Sequence, residues 1–185
     1  MSGEVARRLR PRRRSGADGG TDRDGPILFV DVDGVISLFG FDASAGLPGP
    51  FHWVDGVAHC IPPGSGKLLA TLSERFELVW ATGWEEKANE YLPSILDLPW
   101  PELPYLTFDG RATFGSAHWK LEAIGEYADG RPLAWIDDHI DAECHAWAGA
   151  RAAPTLLIET APATGITAEH VDELLVWADG LPSSR

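Results

Sequence analysis

The chain has 185 residues, 44% of them apolar and 23% charged, which suits one globular domain with a full core and is too little for two. Its longest apolar runs are strand-sized, which argues against a membrane-spanning helix, and a formal net charge of −13 argues against a generic nucleic-acid surface. Charge is unevenly placed: residues 1–14 hold six arginines against one glutamate, leaving nine Lys and Arg against 27 Asp and Glu in the remainder.

Residues 1–26 are polar and aperiodic and read as a disordered, Arg-rich arm. No apolar run follows the arginines, so a secretory or twin-arginine signal is not expected. The alternative use of the arm is an electrostatic tether to RNA or acidic lipid. Residues 27–180 are the expected folded domain and 181–185 a tail. Cys60 and Cys144 form neither a metal-type spacing nor a disulfide framework, which fits a reducing compartment and a cytoplasmic protein.

The stretch Ile27–Val35 reads ILFVDVDGV. An apolar run bounded by Gly25-Pro26 and Gly34 predicts a buried parallel strand. Asp31 and Asp33, two positions apart at its C-terminal end, would share one face of an extended chain, where open α/β sheets bind ligands. From Ile36 to about Cys60, short aromatic pieces between glycines and prolines predict a small β-flap. Of these, Phe39, Phe41, Phe51, His52 and Trp53 are the candidates for substrate contact.

A helix follows from Pro63-Gly64-Ser65-Gly66 to about Arg75, with Leu68, Leu69 and Leu72 on one face. Its SGK does not make a phosphate-binding loop: Ile61 stands where the first glycine is required and Leu68 where a hydroxyl is required. Lys67 is then a solvated helix residue. A strand over residues 76–81 ends in Thr82-Gly83-Trp84, and a helix over 85–96 carries Pro93 as a kink or break. A proline-rich link leads to a short strand at Tyr105–Phe108. Ser116 is expected to cap a helix to about Tyr127 that carries Lys120. The strand 132–136 ends in Asp137-Asp138. A helix over 141–149, a strand over 155–158 and a helix over 167–178 capped by Thr167 complete the chain. Strands alternating with helices predict an α/β fold, a mainly parallel sheet with helices on both faces.

Asp31, Asp33, Thr82, Lys120, Asp137 and Asp138 therefore gather at strand ends and one helix. Four carboxylates need counter-charge. Mg²⁺, a hard cation taking carboxylates, waters and phosphate oxygens, is the natural partner. A hydroxyl and an ammonium complete a holder for a phosphoryl group. Each element also has a plain structural use: an Asx turn at Asp31–Gly34, helix caps at Thr82 and Asp137-Asp138, a surface charge at Lys120.

In this order the residues resemble the haloacid dehalogenase-like (HAD) phosphohydrolase superfamily. A strand followed by DxDG(V/T) is met by residues 31–35, a strand-terminal hydroxyl by Thr82, a lysine near a helix start by Lys120, and an acidic pair after a strand by Asp137-Asp138. The resemblance spans about Ile27 to Ile158. It implies a three-layer Rossmann-like core, Asp31 as nucleophile, Asp33 as general acid and base, and Mg²⁺ on Asp31, the Asp33 backbone carbonyl and Asp138. It leaves Asp137 as a further ligand or as an anchor behind one. Thr82 and Lys120 would bind phosphoryl oxygens, with Gly83 and Trp84 on the substrate side. Asp33 favours a phosphatase over carbon–halogen cleavage. Neither the 49 positions from Asp33 to Thr82 nor the 38 from Thr82 to Lys120 leave room for a large cap. The expected partner is thus a phosphorylated small molecule or a macromolecular end, with nucleic acid not favoured, no membrane, and the oligomeric state left open. Alternatives are a polynucleotide-end phosphatase linked to RNA repair, or a non-catalytic phosphate- or metal-binding module. Trp84 could line the pocket, Asp141 could stiffen the metal site, His118 and His139 are read as packing or solvent-facing and not as ligands, and His145 and Cys144 as structural.

Overall fold

The computed structural model describes residues 25–108 and 115–182. The expected arm, save residues 25–26, and the last three residues of the tail lie outside them. The elements run β1 (Ile27–Val30), β2 (Phe51–Val54), β3 (Val57–Cys60), α1 (Ser65–Leu72), β4 (Glu77–Trp80), α2 (Lys87–Ile95), α3 (Leu121–Ala128), β5 (Leu133–Asp137), α4 (Ala142–Ala150), β6 (Thr155–Glu159) and α5 (Ala168–Asp179). One four-stranded sheet has the order β4-β1-β5-β6, every pair parallel. β2 and β3 form a separate antiparallel hairpin.

Two-residue periodicity makes the sheet a middle layer. Leu28, Val30, Leu78, Trp80, Ala134 and Ile136 pack with Leu69 and Leu72 of α1, Ala88 and Leu92 of α2, and Val171, Leu174 and Ala178 of α5. The alternate residues Ile27, Phe29, Val79, Leu133 and Trp135 pack with Ile124 and Ala128 of α3 and Cys144 of α4. Strands covered on both faces become continuous apolar runs, as β1 and β5 are. Each such Leu, Ile or Phe, fully buried, stabilises the fold by about 1.5–3 kcal/mol. Both cysteines are free and buried. No helix among the described residues is long and apolar enough to cross a membrane.

Local chemistry sets most boundaries. The expected flap is the β2–β3 hairpin, closed by Asp55-Gly56 with φ of 50° and 81°, the positive pair that a tight two-residue hairpin turn requires. Thr167 caps α5, its Oγ1 accepting the His170 N–H while His170 Nδ1 accepts the Thr167 N–H. Lys67 is exposed on α1, as a solvated residue should be. Pro93 sits inside α2, which continues only to Ile95.

Three expectations are corrected. The strand over Tyr105–Phe108 reduces to one bridge, Trp80 N–H to Pro104 O and Leu106 N–H to Trp80 O, because the next donor along it, the Phe108 N–H, goes to Glu85 Oε1 at 2.9 Å and not to the sheet. Ser116 caps no α-helix: its Oγ pairs with His118 Nδ1 at 3.0 Å, and a 3-10 turn over His118–Lys120 leads into α3. The strand from Ile27 ends at Val30, because the chain turns back, with the N–H groups of Ile36 and Ser37 both reaching Val32 O at 2.8 Å. Asp31 and Asp33 therefore do not share a strand face.

Candidate active site

Val30, the last residue of β1, is in register with Trp80, the last of β4, and with Ile136, one short of the end of β5. The next residues are Ala81-Thr82, Asp31 and Asp137, so parallel register alone brings a hydroxyl and two carboxylates to the C-terminal edge of the sheet. Backbone bonds fix the edge: Asp31 N–H to Ile136 O at 3.1 Å and Ala81 N–H to Val30 O at 2.8 Å. Lys120 arrives from the 3-10 turn before α3, and that turn is tied to the loop after β5 by Ala117 N–H to His139 O at 3.1 Å.

Lys120 is the electrostatic centre. It is 3% exposed, its Nζ 3.0 Å from Asp31 Oδ1 and 2.6 Å from Asp137 Oδ2. Burial opposes its charge, but the two carboxylates outweigh that and raise its pKa, so it stays an ammonium. Burial pushes the Asp31 carboxyl up to about 7, against the pull of Lys120 and helped by the Asp137 charge. Thr82 is buried, its Oγ1 accepting the Trp84 backbone N–H at 3.3 Å. That bond leaves the hydroxyl proton free for an oxygen in the cavity.

The acidic pair is not symmetric. Asp137 has both oxygens committed, Oδ2 to Lys120 and Oδ1 to the His139 N–H at 3.0 Å. Asp138 has Oδ1 2.7 Å from His139 Nδ1, while its buried Oδ2 has no hydrogen-bond partner among the described residues. A buried carboxylate oxygen in that state is open to a cation or a water. Burial also raises the Asp138 carboxyl, with His139 pulling it back. Asp137, Asp138 and His139 each bring a ligand atom within 4.8 Å of the others, a group able to hold a metal ion. Asp31 and Asp33 are not part of that group. His139, read from sequence as a packing or solvent-facing residue, is a functional candidate that its position directly after the acidic pair could flag.

One cavity of about 340 Å³ is lined by seven of the eight expected site residues, Asp31, Asp33, Thr82, Gly83, Lys120, Asp137 and Asp138. Phe39, Gly115, Ser116, Trp119 and His139 complete its wall. Trp84 is not in that wall: its indole N–H instead donates to Asp33 Oδ2 at 2.9 Å. Of the flap aromatics expected to meet substrate, Phe39 alone lines the cavity, while Phe51 and Trp53 are exposed elsewhere on the hairpin. Asp141 caps α4 through the Cys144 N–H and pairs with His118 at 2.8 Å, which holds its carboxyl down at about 2. Cys144 is buried, its thiol pushed up to about 12, and inert.

Between Asp33 and Thr82 the described elements are a 3-10 turn at Ala43–Ala45, the hairpin, α1 and the sheet strand β4, and from Thr82 to Lys120 they are α2 and the 3-10 turn His118–Lys120. Among the described residues nothing of cap-domain size covers the cavity. No protein-family model matches the chain, and a search of curated proteins finds no match.

Proposed function

We propose that this protein is a divalent-cation-dependent phosphomonoesterase with a Rossmann-like HAD-type core, hydrolysing its substrate through an aspartyl-phosphate on Asp31. The observation that carries the reading is the buried Lys120 ammonium held between Asp31 at 3.0 Å and Asp137 at 2.6 Å, beside Thr82, at the C-terminal edge of a parallel sheet. A structural ion pair does not need a cavity against it, or a second carboxylate with an orphaned oxygen two residues from β5's Ile136.

In this reading an Asp31 oxygen attacks phosphorus as the bond to the leaving oxygen breaks. Thr82 and Lys120 hold the phosphoryl oxygens. Asp33, exposed at the mouth, gives its proton to the leaving oxygen, then removes one from the water that hydrolyses the acyl phosphate. Asp138, with its orphaned Oδ2, would hold the cation beside His139 of the converging group, with Asp31 on the wall of the same cavity, and Asp137 anchors Lys120 and the loop behind them. Mg²⁺ suits an all-oxygen set, and when bound it would neutralise charge on phosphate and keep Asp31 ionised. The test compares wild-type protein with Asp31→Asn on an aryl phosphate, with Mg²⁺ and with EDTA. Phosphate release that needs both Asp31 and the cation is expected. Equal release by the two forms would remove Asp31 as nucleophile, and none from wild type on a panel of sugar, nucleotide and polynucleotide phosphates would favour a binding module.

A further inference from the structure

Asp33 ends its side chain against two residues that the chemistry above does not use. Its Oδ2 accepts the Trp84 indole N–H at 2.9 Å, and its Oδ1 lies 3.7 Å from His59 Nδ1. Trp84 follows β4 and His59 lies on β3, so the loop after the first strand is gripped from two separate elements. Both are anchored. The Trp84 backbone N–H is held by Thr82 Oγ1, and its ring meets His59 edge-on at 4.6 Å between centroids. His59 Nδ1 also pairs with Ser37 Oγ at 2.9 Å. The hairpin carrying His59 is pinned to α2, where Lys87 Nζ and Tyr91 Oη both reach Asp55 in its turn.

A carboxylate on an exposed loop is otherwise a free rotor, and an acid that must meet the leaving oxygen loses effectiveness with every wrong orientation. The indole is a donor only, and neutral. It can fix one oxygen of Asp33 without adding charge and leave the other for proton traffic. We infer that Trp84 is a positioning residue for the Asp33 acid, with His59 as its backing, so that the hairpin and the Thr82 loop together set the aim of the acid. The inference rests on the phosphatase reading.

Proton donation matters most for a poor leaving group, which separates this role from a merely structural one. Trp84→Phe keeps a ring against His59 and removes the donor. It should lower kcat about tenfold on an alkyl phosphate, the scale of one lost charge-assisted hydrogen bond, and much less on an activated aryl phosphate. KM should be little changed on either. In an Asp33→Asn background, Trp84→Phe should add almost nothing, because the group it aims is already gone. Independently of turnover, the indole N–H resonance that Trp84→Phe deletes should shift in Asp33→Asn. Equal losses of kcat/KM on both esters, which isolates the step that expels the leaving group, additive losses in the double variant, or an unmoved resonance would each overturn the inference while leaving the phosphatase reading intact. A wild type inert on both esters would overturn the reading and the inference with it.

Discussion

A Cβ placed on Gly34 would lie 2.3 Å from the Asp138 carboxyl carbon. The first loop and the loop after β5 thus pack against each other with no room for a side chain, and Gly34 has a φ of +76° that L residues avoid. The closeness keeps Asp138 at the floor of the cavity, where its Oδ2 is buried.

Gly34→Ala should therefore fail in two measurable ways. Backbone strain and the clash should cost about 2 kcal/mol or more, lowering Tm by roughly 5 °C. Displacement of Asp138 should also weaken the stabilisation that added Mg²⁺ or Mn²⁺ gives in a melting experiment. A variant with wild-type Tm and an undiminished cation response would show that the contact does not matter.

Asp138→Asn should separate the cation from the fold. Burial raises the Asp138 carboxyl, so an amide there removes an unfavourable charge, and the cation-free protein should be as stable as wild type or more so. Divalent affinity, read by calorimetry, should drop about tenfold or more, since a ligand is lost. Unchanged affinity would transfer the ion to other residues.

The Asp31 carboxyl, pushed up from 3.8 to about 7 by burial, should leave a signature in stability against pH. Between those two values the folded state keeps a proton that the unfolded chain has released. Stability from this group is therefore fully present below about pH 4 and is lost as pH rises through about 7. With EDTA present, Asp31→Asn should have a flatter profile than wild type over that window and a higher Tm at its upper end. Parallel profiles for the two proteins would show that Asp31 carries no such cost.

Much of this site was readable because strand periodicity and strand ends are local properties. The apolar run into Asp31, the pattern 133–136 into Asp137, and the hydroxyl after Trp80 mark three strand ends, and parallel pairing then aligns them. The Asp55-Gly56 turn and the Thr167 cap were legible for the same reason: a few adjacent residues determine them. Ser116 misled because a capping residue type says nothing about whether the next turn is 3-10 or α. Alternation along an extended chain puts Asp33 on the face of Asp31, but the strand ends at Val30 and the turn onto Val32 O carries Asp33 to the cavity instead.

The amino-acid order alone settled the α/β alternation and the placing of Asp31 and Asp137 at the ends of sheet strands. Tertiary structure alone decided that Lys120 is shared by Asp31 and Asp137, that Asp138 and not Asp137 keeps an unsatisfied oxygen, and that Trp84 turns to Asp33 and away from the cavity. The reason is physical. These pairings join side chains far apart in the chain, 17 positions for Lys120 and Asp137 and 51 for Trp84 and Asp33, and loop residues beyond a strand end follow no period that could foretell which partner they meet.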